Sequence, residues 1–167
     1  DARDPAEETL YLYDLTTETE EPLPIDPAGQ EADPDISEDR VVWKGDDGQG
    51  HIEIFLYDLA TATERHITND AVTQLFPAIS GDRIVWEDYR SGTSDIYLYD
   101  LATETEEQIT SEPGFEFSAA ISGDRIVWVD GRNGNSDIYL YDLATQTEQA
   151  IKVDPQVYQL HPAISGN

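Results

Sequence analysis

A unit of about 42 residues is repeated along this chain, and the repetition limits the folds that the chain can adopt. Residues 83–110 match residues 125–152 at 20 of 28 positions without a gap. Three markers recur at intervals of 42 to 44 residues: a tryptophan (Trp43, Trp86, Trp128), a Tyr-Asp-Leu triplet (from Tyr13, Tyr57, Tyr99, Tyr141) and an Ile-Ser pair (from Ile36, Ile79, Ile121, Ile164). A period that independent markers share predicts an array of similar units stacked on one another.

Each unit is expected to form four short β-strands. In one unit these are the small residues 76–80, then residues 83–88, residues 95–101 and the polar residues 106–110, with turns rich in Gly and Asp between them. Val, Ile, Tyr, Trp and Thr favour strands, and no segment combines a helical period with capping residues.

The third strand of the unit is apolar on both faces. Successive side chains of a strand alternate between its faces, so Ile96 and Leu98 lie on one face and Tyr97 and Tyr99 on the other. Such a sheet has to be covered on both sides, and small four-stranded sheets that pack face to face with this period are typical of propeller blades. The predicted fold class is therefore all-β, a β-propeller of about four four-stranded antiparallel blades with a split or incomplete terminal blade.

The strand phases divide residues 1–167, taken as a single propeller domain, into blades. Complete blades are predicted at residues 32–68, 75–110 and 117–153. Residues 8–25 match only the third and fourth strands of a blade, and residues 160–167 match only a first strand. The chain thus carries one strand fewer than four blades require.

Three arrangements would explain these end phases. The C-terminal strand joins the N-terminal half blade of its own chain, or it joins the half blade of the next chain in a head-to-tail filament, or the chain is a piece of a longer tandem protein. In the first two arrangements the contact is predicted to involve the segments Leu10, Tyr11, Leu12, Tyr13, Leu15 and Leu160, His161, Pro162, Ala163, Ile164, Ser165.

The pattern S-G-D-R-I-V-W…G…S-D-I-Y-L-Y-D-L-x-T, present at residues 80–103 and 122–145, resembles the TolB-like propeller repeat, a relative of WD40-like repeats. It is most similar to the form found in tandem in archaeal cell-surface proteins, and the resemblance covers nearly the whole chain from Thr9 onward. The resemblance implies a propeller at the cell surface or outside the cell. Propellers of this type serve as scaffolds, gates and binding platforms, so the repeat alone implies no activity.

Charge excludes several classes of partner. The chain has 9 Lys and Arg against 36 Asp and Glu, a net charge of −27. Such a surface repels nucleic acid and anionic lipid, and no apolar run is long enough for membrane insertion. Solvent cations are the expected counterions. The composition favours adaptation to salt, the alternative being a calcium-rich or simply acidic extracellular surface.

One loop is a candidate calcium site. The turns at residues 88–95 and 130–137 pair two aspartates, but Arg90 and Arg132 lie within them, so an ion pair explains those turns better than a cation site. The corresponding loop of the first complete blade has no arginine, and its Asp46 and Asp47 are the candidate ligands. No other cofactor is expected.

No residue is predicted to be catalytic. The chain has no cysteine and no Gly-x-Ser-x-Gly motif, and its three histidines occupy three different phases of the repeat. Near-identical blades indicate architecture, because an active site is built from residues that occur once.

The leading hypothesis is a non-catalytic extracellular propeller with a structural or adhesive role, associating with itself through the split blade. The alternative is a soluble binding platform for a protein or small ligand, similar to the periplasmic TolB-like propellers. A fragment of a larger propeller enzyme is the third.

Overall fold

The computed structural model describes residues 9–25, 31–152 and 157–166, and these form fourteen β-strands and no α-helix. The strands are β1 (Tyr11–Asp14), β2 (Thr19–Pro22), β3 (Ala32–Ser37), β4 (Arg40–Asp46), β5 (Ile52–Asp58), β6 (Thr63–His66), β7 (Gln74–Ser80), β8 (Arg83–Asp88), β9 (Asp95–Asp100), β10 (Thr105–Gln108), β11 (Glu116–Ser122), β12 (Arg125–Asp130), β13 (Asp137–Asp142) and β14 (Thr147–Lys152). Within these residues, no helix is available that could cross a bilayer.

The strands form a row of antiparallel sheets in chain order. β1 and β2 form a two-stranded half sheet, and the first (β3 to β6), second (β7 to β10) and third (β11 to β14) sheets each have four strands. Every strand pairs only with its neighbours in sequence, so each sheet is a meander. The predicted all-β propeller fold is confirmed, and the described row of sheets is open rather than closed into a ring.

The innermost strand of each complete sheet contains a β-bulge. The register of β3, β7 and β11 shifts within the strand, and Asp33, Phe76 and Ser118 at the shift have φ of 52°, 52° and 54°. Positive φ is uncommon for residues other than glycine, and a bulge both tolerates it and increases the local twist. The three sheets therefore bend in the same way at the same position.

Neighbouring sheets pack an aromatic face against an aliphatic face. We call the aromatic face the one that carries the tryptophan of the second strand and the tyrosines of the third, and the aliphatic face its opposite. Between the second and third sheets, the buried cluster joins the aliphatic Val85, Ile96 and Leu98 to the aromatic-face residues Ile121, Ile126, Trp128 and Tyr139. The equivalent cluster joins the first and second sheets, and a third joins the half sheet to the first sheet. Because both faces of a sheet are apolar, each sheet needs a neighbour on both sides to bury its apolar side chains.

Polar bridges fix the spacing of the sheets at the turns between their first and second strands. Arg40 in the first sheet binds the Asp82 carboxylate of the second at 2.7 Å, and Arg83 binds Asp124 of the third at 2.5 Å. The Ser37 hydroxyl also accepts a hydrogen bond of 3.0 Å from the Gly81 amide. Bridges of this kind connect surfaces whose apolar contacts alone would permit sliding.

At the opposite end of the strands of the second sheet, the Arg90 guanidinium binds the fully buried Asp88 and lies 4.2 Å from the centre of the Tyr97 ring. Asp88 also accepts the indole N–H of Trp86 at 3.1 Å. Burial opposes ionisation of Asp88, but the bonds from Arg90 and Trp86 prevail and lower its pKa. The ion pair expected in this turn is thus present, and Arg132 makes the same one with Asp130 in the third sheet.

A cluster of buried acids joins the second and third sheets. Glu116 is fully buried, its Oε2 accepts a hydrogen bond of 3.3 Å from Thr110, and its Oε1 accepts none from the described residues. Burial, together with the nearby Asp130 and Asp95, raises the pKa of Glu116 to about 8. The equivalent residue of the second sheet is Gln74, whose amide is neutral at every pH.

We expect Glu116→Gln to stabilise the chain increasingly between about pH 4.5 and pH 8. A carboxyl whose pKa is raised on folding favours the folded state while protonated, and that advantage is lost as the pH rises towards its folded pKa. Chemical denaturation should give similar unfolding free energies for both chains at pH 4 and a gain on the order of 4 kcal/mol for the variant at pH 8. Parallel pH profiles would show that Glu116 is ionised in the fold.

We expect Ile79→Ala to destabilise the dilute chain by about 2 to 5 kcal/mol, because Ile79 is buried between the first and second sheets. The matched control is Ile36→Ala at the equivalent position of the first sheet, which should cost less than about 1 kcal/mol because Ile36 is 51% exposed. Urea denaturation of the two variants measures the difference. Equal losses would mean that Ile36 is covered in solution.

Candidate assembly surfaces at the two ends

The N-terminal end of the row exposes an aromatic face. Tyr11 and Tyr13 of β1 are 45% and 55% exposed, whereas their equivalents Tyr97 and Tyr57 are 6% and 5% exposed. Leu15 follows them on the same face and is also exposed. These three of the predicted assembly residues are therefore exposed to solvent, whereas their equivalents in the interior of the row are covered by a neighbouring sheet.

The other predicted residues of this segment face the first sheet. Leu10 packs on the cluster that contains Trp43, and Leu12 is half-buried beside Leu23. The segment predicted as one assembly surface thus divides by strand alternation into an outer, exposed face and an inner face that covers the first sheet.

A groove follows the free edge of β1. It has a volume of about 310 Å³ and is lined by Thr9, Leu10, Tyr11, Leu12, Leu23, Pro34, Asp35, Ile36 and Val41. In the complete sheets the corresponding space holds the first and second strands of the preceding sheet. The sequence identified Ile36 only as a repeat marker, and the structure shows that its equivalents Ile79 and Ile121 are core residues.

The C-terminal end of the row exposes part of an aliphatic face. Ile151 is 53% exposed, whereas its equivalent Ile67 is 9% exposed at the junction of the first and second sheets. Val127 and Val129 of the same sheet are buried. The outer part of this face is therefore open and its inner part is not.

The segment 157–166 lies along this end without forming a strand. Its Gln159 amide donates to the Ser136 carbonyl at 2.9 Å, as the Glu116 amide donates to the Ser94 carbonyl one sheet earlier. His161 has φ of 55°, the value found at the bulge of every first strand. The segment thus has the backbone shape of a first strand, but no described strand pairs with it.

This outcome differs from the strand predicted at residues 160–167, of which residue 167 lies outside the described part. A strand is defined by its ladder, and no described strand forms one with residues 160–166. Leu160, His161, Ala163 and Ser165 are exposed, and Pro162 and Ile164 are half-buried. The structure does not bring this segment to β1, which among the described strands pairs with β2 alone.

The candidate calcium loop is closed by its own hydrogen bonds. Asp46 Oδ1 accepts bonds from the amides of Gly48 and Gly50, and Asp47 Oδ1 accepts bonds from the amides of Gln49 and His51. Asp47 Oδ2 lies 2.9 Å from His51 Nδ1. Bonds from His51 and the loop amides outweigh desolvation and lower the pKa of Asp47 to about 2. No cluster of three acidic or histidine side chains suited to a metal exists among the residues with assigned positions, so calcium binding stays a prediction.

The other groups considered for chemistry have structural contacts. His66 packs on Phe55 with ring centres 4.4 Å apart, and the Ser80 hydroxyl accepts a hydrogen bond of 3.0 Å from the Gly123 amide of the next sheet. These contacts hold sheets and strands together.

No protein-family model and no curated protein sequence matches the chain. Several solved structures match it. A putative TolB from Agrobacterium tumefaciens is 21% identical with a TM-score of 0.72, over 89% of this chain and 56% of that one. TolB from Acinetobacter baumannii is 23% identical with a TM-score of 0.66, over 86% of this chain and 37% of that one.

The β-propeller domain of the Trilobed protease from Pyrococcus furiosus, which has an open velcro topology, is 19% identical with a TM-score of 0.56, over 73% of this chain and 41% of that one. The chain thus spans about a third to a half of these structures' own lengths. The fold occurs both in TolB and in a protease, so it does not itself assign catalysis. The row of sheets and these structural similarities show that the chain has the β-propeller fold of the TolB type.

Proposed function

We propose that this chain is a non-catalytic structural module of the cell exterior that associates head to tail through the two ends of its row of sheets. The observation that carries the proposal is the difference between the ends. The half sheet exposes an aromatic face at Tyr11 and Tyr13, and the third sheet exposes an aliphatic face at Ile151.

These two surfaces are the two halves of an interior junction. In the row, an aliphatic face always packs on the aromatic face of the following sheet, as Leu98 and Ile96 do on Trp128. The third sheet of one copy can therefore receive the half sheet of the next copy in the same orientation. Such a contact is heterologous, so repeating it either closes a ring or continues as a fibre.

Blade number favours more than one chain per ring. Each chain would supply three complete blades and share in one composite blade, and propellers typically have about four to eight blades. Two chains would give about eight, which lies within that range. The chain also spans only part of the TolB structures it resembles, in keeping with a ring completed by further blades.

The charge supports a salt-rich, extracellular setting. Two copies that each carry −27 repel one another, and the apolar ends can meet only where counterions screen that repulsion. Association driven by apolar contact should accordingly strengthen with salt, the opposite of what an ion-pair interface would show.

We expect light scattering after size exclusion to give multiples of the 18.7 kDa chain at molar salt and a shift towards the monomer at low salt. Negative-stain images should then show rings or regular fibres. A monomer at every salt and protein concentration would contradict head-to-tail association.

We expect Tyr13→Glu to abolish this association while the chain stays folded, because Tyr13 is 55% exposed and the new carboxylate would be buried at the junction. The matched control is Phe115→Glu, which places the same charge at another exposed aromatic residue, 57% exposed and in the connection between the second and third sheets. Circular dichroism verifies the fold of each variant. Unchanged masses for Tyr13→Glu, or equal losses in both variants, would refute the assigned surface.

A further inference from the structure

The interior junctions share an arginine site that the N-terminal junction lacks. Arg40, at the start of the second strand of its sheet, lies 3.9 Å from Asp58 of its own third strand and 2.7 Å from Asp82 of the next sheet. Its Nη1 also donates to the Gly81 carbonyl at 3.2 Å. Arg83 has the same contacts, with Asp100 at 3.7 Å and Asp124 at 2.5 Å.

Asp14 and Asp39 occupy the corresponding positions at the N-terminal junction. Asp14 ends β1 as Asp58 ends β5, and its Oδ1 accepts amide bonds from Thr16 and Thr17 in the same kind of turn. Asp39 ends the turn between β3 and β4 as Asp82 ends that between β7 and β8, and its carbonyl accepts the Leu59 amide at 2.8 Å. No arginine or lysine of the described chain forms an ion pair with either carboxylate.

The apolar packing of the N-terminal junction is also incomplete, beside the same two carboxylates. Ile36 is 51% exposed, whereas its equivalents Ile79 and Ile121 are 5% and 9% exposed. Ile121 lies in one cluster with Val85, the valine of the preceding second strand. Val85 fills a position between the second and third sheets. At the junction of the half sheet and the first sheet, the equivalent position is the groove beside Leu12 and Ile36.

We infer that the edge of β1 is a binding slot for one extended strand with an arginine at its start and apolar residues after it, of the type Arg-Ile-Val-Trp, supplied by a segment outside the described residues. The strand would pair antiparallel with β1, as β8 pairs with β9. Its arginine would lie between Asp14 and Asp39, and its valine would cover Ile36. This inference deepens the proposed function, since it rests on the chain being part of a larger propeller and names the strand that completes the half sheet.

A second copy does not offer this strand from its C-terminal segment. Residues 160–165 contain no arginine and include Pro162, and they have the bulge conformation of a first strand. In all three complete sheets the first strand pairs with the second and never with the third, which is the position of β1. The partner is therefore a separate segment with the chemistry of a second strand.

The test uses a fluorescently labelled peptide with the sequence of residues 81–90, GDRIVWEDYR, and the full chain at low concentration. Fluorescence anisotropy should show saturable binding of one peptide per chain. Replacing the arginine at the third position of the peptide (Arg83 in the chain) by alanine should weaken binding about tenfold or more, as expected for loss of a charge-assisted contact to two carboxylates.

Variants of the chain locate the slot. Asp39→Asn and Ile36→Glu should each weaken binding about tenfold or more. The control for the first is Asp124→Asn, the same change at a site that Arg83 already occupies, and the control for the second is Phe115→Glu at an exposed residue elsewhere. Both controls should bind the peptide as the unchanged chain does.

Absence of saturable binding would overturn the inference, as would binding that Asp39→Asn and Ile36→Glu leave unchanged. The result is separable from the association experiment. If the chain associates with itself but does not bind the peptide, the proposed function is supported and the slot is refuted. If the chain binds the peptide through Asp39 and Ile36 but stays monomeric, the slot is supported and head-to-tail association is refuted.

Discussion

The packing of an aliphatic sheet face on an aromatic one is the interaction on which the rest of this structure depends. A sheet with Trp86 and Tyr97 on one side and Val85 and Ile96 on the other has no face that water can solvate favourably. At about 25 cal/mol per Å² of apolar area, each junction contributes a large share of the free energy of folding, and no single sheet can provide it alone. The exposed residues at the two ends follow directly from this constraint, because a row of such sheets always has two unsatisfied faces.

Apolar stacking does not determine how the sheets are oriented, and the few basic residues supply that information. Every Arg and Lys side chain that the structure describes lies within ion-pair distance of a carboxylate, in a chain with four times as many acidic as basic residues. Arg40 and Arg83 connect consecutive sheets, and Arg90 and Arg132 bind buried aspartates within a sheet. Positive charge is concentrated where two strands or sheets must hold a fixed register, and the remaining acidic residues are left to solvent and its cations.

Much of the fold was predictable because it is periodic. The spacing of Trp43, Trp86 and Trp128 gave the blade length, and the two apolar faces of the third strand gave the stacking. The candidate surfaces were predictable only in part. Alternation along β1 places Tyr11 and Tyr13 on one face and Leu10 on the other. Which of the two faces is exposed depends on the packing of the first sheet, and the sequence does not show that packing. Asp14, Asp39 and Ile36 become informative only when their equivalents in complete junctions are seen with partners. The calcium site at Asp46 and Asp47 stays a prediction, and the structure adds a local fact that the sequence did not show, since the amides of this glycine-rich loop compete with a cation for the same carboxylate oxygens.

The bulge in the innermost strand has a consequence for how such chains change over generations. His161 has the same left-handed backbone conformation as Asp33, Phe76 and Ser118, although its segment has no ladder to impose it. The bend thus occurs at the same position of every unit, even where no described second strand pairs with the first. A gene that gains or loses whole units by recombination therefore gains or loses blades with the same bend.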